Sequence, residues 1–453
     1  MRFQTVKLPQ QFARYSFFIT IILIPIRLRV WSLSRPVEGV FSDYSDFLLF
    51  ASDIFAVATV IFWLIHMGVS RKQIQRGPFF LTAPLFAVTI IVAITTLVSI
   101  DRPLSVYHSI RLFLLFGLYL YVINEVKGIR EIIWPVSIQV VIQAAVSIAQ
   151  FINQHSIGLY QLGEYQLDPA WNGVSVVLAG GVRYLRGYGL TDHPNILGGA
   201  FAFGLLLMAA RFAQKEEASK RYWLAAGIII GALGLFTTFS RAAVLGGLLG
   251  GALILFLIHR NKLAKERQRL IGLVLATLVF VIPVVWSNRE LVGVRIGSNN
   301  SFEHVETEIG SLKEREALNQ IANEVFVNDA ISGIGIGSLP QAMRWYRPEF
   351  QFYYQPAHIA LLDVAVETGL FGALFYSILL VAPWVALIGR RGENLTLDLI
   401  GVSGALLAAT VIGLFDYYTW LLIPGRLWQW TIWGLWGAFF MQLNPTSQGT
   451  VDV

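Results

Sequence analysis

The chain has 453 residues, of which 55% are hydrophobic and 14% charged, with a net charge of +6. A soluble globule carries about 25% charged residues, so this composition excludes one and points to a lipid surround. Cysteine is absent, which excludes disulfides, thiolate metal sites and cysteine nucleophiles.

Twelve apolar stretches follow along the chain, at about 12–27, 47–67, 79–99, 105–123, 131–152, 189–210, 222–239, 242–258, 270–286, 358–388, 397–416 and 422–441. A helix needs roughly 20 apolar residues to cross a hydrocarbon core. Short segments of alternating polarity, the mark of a membrane barrel, are missing. The predicted fold is therefore all-α: one polytopic membrane domain over residues 1–453 with about twelve transmembrane helices. The first run follows Arg2, Lys7 and Arg14 and lacks a small-residue cleavage site, which predicts a retained signal-anchor helix.

Charge orders the connections. The N-terminus, Arg71-Lys72 with Arg76, Lys127 with Arg130, the stretches 211–221 and 260–269, and Arg390-Arg391 are basic. They form every second connection, so the positive-inside rule makes them and both termini cytoplasmic. Basic loops of this kind are topology signals and contacts for anionic lipids; nucleic acid is not implied. Two of the outward connections are long, about 153–188 and 287–357.

The polar features crowd the outward side. Arg186-Gly187-Tyr188-Gly189-Leu190-Thr191-Asp192-His193-Pro194-Asn195 precedes the sixth span, where Pro194 is placed to start a helix. Thr237-Thr238-Phe239-Ser240-Arg241 separates two apolar runs, holding Arg241 near the hydrocarbon, where a cation is paired or functional. In the long second loop, Ser311-Leu312-Lys313-Glu314 reads as a capping box. Leu318, Ile321, Ala322 and Val325 then recur at helical spacing, predicting an amphipathic helix over about 312–328 with Arg315 near its start. Gly333, Gly335 and Gly337 follow at alternate positions and allow close backbone approach and unusual torsions. They open no βαβ unit, so a dinucleotide loop is not indicated. Gln355-Pro356-Ala357-His358 then leads into an apolar stretch carrying Glu367-Thr368-Gly369-Leu370-Phe371-Gly372. On a continuous helix, His358, Ala365, Gly369 and Gly372 fall on one face, an imidazole above a seam of small residues that a helix or lipid chain can approach.

These segments resemble the O-antigen ligase and O-antigen polymerase family of bacterial envelope glycosyltransferases over about 186–418. The resemblance rests on Gly189 through Gly198, Thr238-Phe239-Ser240-Arg241, Arg315 ahead of the alternate glycines, His358 with Glu367 through Gly372, and Phe415-Asp416. It implies two outward arginines and one histidine tied to activity, carried here by Arg241, Arg315 and His358. The family histidine is usually followed by asparagine, whereas Ile359 stands here, which leaves the hydrogen-bond partner of His358 open. The implied donor is a polyprenyl diphosphate-linked glycan, and the acceptor a sugar hydroxyl on a lipid-anchored core or another glycan. The implied reaction inverts the anomeric carbon without metal or cofactor, on the outer face of a bacterial inner membrane. On this reading Arg241, Arg315 and Arg186 hold the diphosphate and His358 is the base. His193, Asn195, Glu367, Gly369, Gly372 and Asp416 support them. A polymerase of the same family and a protein O-glycosyltransferase remain open. A transporter or flippase of lipid-linked sugars is a reading of another class; its repeat symmetry has no counterpart in the two unlike halves of this chain.

Overall fold

The computed structural model describes residues 2–215, 217–297, 302–390 and 392–443. The chain begins with α1 (Arg2–Leu23), β1 (Arg29–Leu33), α2 (Ser42–Ser45), β2 (Phe47–Phe50), α3 (Ala51–Ser70), α4 (Phe79–Thr95), α5 (Arg102–Glu125) and α6 (Ile129–Asn153). A hairpin of β3 (Val176–Ala179) and β4 (Val182–Leu185) leads into α7 (Pro194–Ala213), α8 (Ala218–Thr237), α9 (Arg241–Arg260) and α10 (Ala264–Ser287). The second long connection holds α11 (Arg289–Ile296), α12 (Phe302–Asp329) and α13 (Leu339–Tyr346). Then come α14 (Ala360–Gly389), α15 (Leu397–Gly413) and α16 (Ile423–Met441).

A helix stands at each of the twelve apolar stretches. Among the described residues seven, namely α3, α5, α6, α7, α9, α10 and α14, are long and apolar enough to cross a membrane, and α4 and α15 are shorter apolar helices. Helix starts follow local chemistry. Asp101 accepts the amide of Leu104 ahead of α5, with Pro103 in the first turn, and Thr396 caps α15 through the amide of Leu399.

Burial separates the helices by role. On α16 nearly every face is buried, with Trp428, Trp433 and Trp436 fully enclosed, the behaviour of a helix at the centre of a bundle. The apolar α10 is the opposite case: only Leu270 and Leu273 are buried, while Leu275, Val279, Phe280 and Ile282 stand exposed. A helix so apolar and so uncovered fits a lipid boundary. Close approach of α9 to α15 is made by small residues, since a Cβ on Gly250 would lie 2.5 Å from the carbonyl of Gly404. Interior cations have partners: Arg111 pairs with Asp53, and Arg426 meets Nδ1 of His108 at 3.1 Å.

Three expectations are corrected. The all-α reading omits two small antiparallel pairs, β1 with β2 and β3 with β4. Strands this short lie in loops with no long alternating run to reveal them. Helix α12 begins at Phe302 rather than near 312, so Ser311 lies inside the helix and is not its cap. Finally, α14 starts at Ala360 and is interrupted at Gly369, whose φ of 70° and ψ of −174° are not helical. His358 therefore precedes the helix, and the single face joining it to Gly369 and Gly372 does not exist.

Candidate functional site

His358 is held by backbone contacts on both sides. Its amide donates to Oδ1 of Asn319 on α12 (2.9 Å), and the neighbouring amide of Ala357 donates to Oδ1 of Asp363 in the first turn of α14 (2.8 Å). Its ring lies edge-on to Tyr417, with centroids 5.2 Å apart. Nδ1 is enclosed and has no hydrogen-bond partner among the described residues. Burial, with the Arg315 charge adding to it, pushes the imidazole down to about 3. His358 is thus neutral at physiological pH.

Arg315, partly buried on α12, forms no ion pair or side-chain hydrogen bond among the described residues. Its charge reaches His358, His193 and Asp416. Those residues belong to a connected group. His193 caps α7 by accepting the Asn195 amide on Nδ1 (3.1 Å). Asn195 donates through Nδ2 to Oδ2 of Asp416 (2.9 Å) and accepts Nη2 of Arg186 on Oδ1 (2.7 Å). Burial holds the His193 imidazole well below its ordinary range, and the charges of Arg186, Arg315, His358 and Arg295 deepen the shift. Burial pushes the Asp416 carboxyl up, and Arg315 pulls it back. The structure therefore gathers His358, Arg315, His193, Asn195 and Asp416 at one place, from segments more than 200 residues apart.

Arg186 has a different setting. It is buried, and its guanidinium donates to the carbonyl of Thr238, to Oγ of Ser175 and to Asn195, each at 2.7 Å. With these donors spent on protein, it braces Asn195 and the α8–α9 turn. That turn carries Phe239 at φ 46°, a left-handed conformation costly for a bulky residue. Arg295 of α11 donates to the Phe239 carbonyl (3.3 Å), and Arg241, exposed at the start of α9, donates to the Arg295 carbonyl (3.1 Å). Arg241 thus connects to the His358 cluster by way of Arg295, whose charge His193 feels.

Glu367, Gly369 and Gly372 lie on α14 beyond its first turn. Oε1 of Glu367 accepts the Gly337 amide and Oε2 accepts Nε1 of Trp420, both at 2.8 Å. The segment from Gly333 to Gly337 lies along the break in α14: the amides of Ile334 and Gly335 donate to the carbonyls of Val366 (3.1 Å) and Glu367 (3.0 Å). All three loop glycines have positive φ. A Cβ on Gly335 would lie 2.3 Å from Ser99, and one on Gly369 2.3 Å from the Ile331 carbonyl. The alternate glycines thus serve backbone docking.

The N-terminal segment completes the site. Asp192 binds Arg27 (2.5 Å) and Arg29 (3.1 Å), and Arg29 also pairs with Asp43 (2.5 Å). The hydroxyls of Tyr44 and Tyr417 share a hydrogen bond. Sequence reasoning missed Arg295, Asn319, Asp363, Tyr44 and Tyr417. Asp363 had a local signal, an acid in the first turn of a helix; the others meet the site only through tertiary packing. A cavity of about 600 Å³ lined by Arg14, Lys72, Asn124, Glu125 and Glu131 lies apart from this group. It is near the start of α6, whereas Gln150, toward the end of that helix, bonds Tyr188 and Gly189. At His358 an imidazole with its Nδ1 enclosed and the charge of Arg315, a cation without an ion-pair partner among the described residues, coincide. Among the described residues no three His, Cys, Asp or Glu side chains stand together as a metal site.

An enclosed neutral imidazole beside an unpaired guanidinium can meet a hydroxyl and an anion together. Residues 226–377 match the family model described as O-antigen ligase, so the family resemblance holds over about a third of the chain. The matched segment contains Arg241, Arg315, His358, Glu367, Gly369 and Gly372, whereas Arg186, His193, Asn195 and Asp416 lie outside it. No curated protein matches the chain. The matched family is one of membrane enzymes, of the ligase or polymerase type of glycosyltransferase.

Proposed function

We propose that a chain with an O-antigen ligase segment and this constellation transfers a glycan from a polyprenyl diphosphate donor to a sugar hydroxyl of a lipid-anchored acceptor, at the outer face of the bacterial inner membrane. The observation that supports this best is Arg315, a half-buried cation without an ion-pair partner among the described residues, whose charge reaches His358. A half-buried guanidinium with no ion-pair partner among the described residues is suited to a bound anion. The donor diphosphate is that anion, with Arg241 as the second cation and Arg295 between them.

On this reading the acceptor hydroxyl meets Nε2 of His358, the nitrogen opposite the enclosed Nδ1. It attacks the anomeric carbon from the face opposite the leaving diphosphate, so the configuration inverts. The hydroxyl proton passes to His358 as the C–O bond forms, and the diphosphate leaves with the bonding pair against Arg315 and Arg241. Because the guanidinium charges stabilise the leaving group, the reaction runs without a metal.

The test is deletion of the gene in its host followed by gel analysis of surface polysaccharide. Full-length chains left on the polyprenyl carrier are expected. Single repeat units would move the assignment to the polymerase of the same family, and an unchanged polysaccharide with intact linkage would overturn both. In purified protein, transfer should persist in EDTA; loss on chelation, with recovery on adding back a divalent ion, would overturn the metal-free step.

A further inference from the structure

An unbroken run of aromatic rings leads from His358 to the surface. The His358 ring lies 5.2 Å from Tyr417, Tyr417 lies 5.9 Å from Tyr44, and Tyr44 lies 6.4 Å from Phe41. Phe41 stacks on Tyr353 at 4.4 Å, with the planes 22° apart. The inner two tyrosines are buried, whereas Phe41 and Tyr353 remain 38% and 56% exposed despite their stacking. The outer pair is fixed by backbone: the Tyr354 amide donates to the Gly39 carbonyl (2.8 Å), and Val40 and Tyr354 form a parallel bridge. The track also has a polar edge. Gln341 donates through Nε2 to the carbonyl of Tyr44 (3.2 Å), while its Oε1 is enclosed and unpartnered among the described residues.

We propose that Phe41 and Tyr353 form a subsite for the sugar chain of the acceptor, one or more residues beyond the reacting hydroxyl. A pyranose has an apolar C–H face and a rim of hydroxyls. Rigid exposed rings match the C–H face. The inner end of the track assigns the occupant: it is His358, the group that meets the acceptor hydroxyl, so the sugars next along the track belong to the acceptor. The inference rests on the glycosyltransferase reading above. A ring pair that merely anchors the loop among lipid headgroups is the competing outcome.

The experiment is transfer by purified full-length protein in proteoliposomes, using acceptors of one sugar and of several sugars prepared from the host's own lipid-anchored acceptor. Tyr353→Ala and Phe41→Ala should each raise KM for the long acceptor roughly three- to tenfold and leave KM for the donor unchanged. The advantage of the long acceptor over the single sugar should shrink accordingly. Tyr353→Phe, which keeps the ring, should restore wild-type KM even where the alanine variant folds poorly. Trp345→Ala, removing a ring 76% exposed on α13 and outside the track, is the control. If it raises the same KM equally, the effect belongs to membrane seating and the subsite is overturned. A rise in donor KM instead overturns the acceptor assignment. If the wild type transfers but the length advantage survives in every variant, this inference alone fails. If the wild type transfers to no acceptor, the functional reading fails and this inference with it.

Discussion

At the scale of single residues, the imidazole proposed as the base is held at about 3. Unfolded, it would titrate near 6.5. The folded chain therefore binds fewer protons through this group between about 3 and 6.5. Its contribution to stability is full above the unfolded value and is lost as pH falls through that window. The kinetic consequence is specific, because kcat/KM reports the free enzyme and kcat the complex. We expect kcat/KM to show no His358 limb near 6.5. A limb in kcat should appear above 3, because the bound diphosphate offsets the Arg315 charge that helps to depress the imidazole. A wild-type limb near 6.5 in kcat/KM that vanishes in His358→Gln would contradict the enclosed geometry. Arg315 gives the second expectation. A charge-assisted contact is worth roughly 1.5–3 kcal/mol, so Arg315→Ala should lower transfer by about ten- to a hundredfold. Arg315→Lys should recover only part of it, because lysine lacks the planar fork. Arg186→Lys, removing a guanidinium already bonded to Thr238, Ser175 and Asn195, should lower the thermal midpoint along with activity. Arg315→Lys should leave that midpoint in place, and a circular-dichroism melt of both variants in detergent separates the two roles.

At the scale of elements, the alternate glycines and the Glu367–Gly372 segment were legible as separate signals of close approach, but not as two halves of one contact. Hydropathy along α14 is apolar through the break, so a continuous helix was the natural reading and the wrong one. Only the facing segment, with Gly333 at φ 63° against the carbonyl of Glu367, makes the interruption at Gly369 intelligible. The cations were legible because an isolated arginine in an apolar chain is rare. Whether each faces ligand or protein was not, since Arg186 and Arg315 differ only in which distant segments surround them. The docking predicts graded losses of stability. Gly297 has φ 77° and nothing within 4 Å of a built Cβ, so Gly297→Ala should cost only the left-handed backbone term, about 1–2 kcal/mol. Gly335→Ala adds a clash with Ser99, and Gly369→Ala a clash with fixed backbone at Ile331. Thermal melts should therefore rank Gly297→Ala mildest and Gly369→Ala most severe. Equal midpoints for all three would remove the docking from the account.

At the scale of the molecule, the candidate site draws on distant parts of the chain, since Arg27 and Arg29 bind Asp192 and Tyr44 bonds Tyr417. A resemblance confined to about 186–418 does not reveal that dependence. The succession of apolar stretches and the alternation of basic connections were legible, because each is a local property that lipid enforces on every crossing. Orientation follows from the alternation and carries the last prediction. The His358 cluster lies at the end of α6 that Gln150 approaches, and Glu131 lies at the other, beside Lys127 and Arg14. If the basic connections are cytoplasmic, the exposed Glu316 on α12 faces outward and the exposed Lys265 at the start of α10 faces the cytoplasm. The chain has no cysteine, so Glu316→Cys and Lys265→Cys each place one thiol on an otherwise unreactive background. A membrane-impermeant maleimide should label Glu316→Cys in cells whose outer barrier alone has been opened, and Lys265→Cys only after the inner membrane is lysed. The reverse pattern would put Arg315 and His358 on the cytoplasmic face, where a donor presented at the outer leaflet could not reach them. Labelling of both before lysis would show that the stretch between them does not cross the membrane an odd number of times, and the charge alternation would then need another cause.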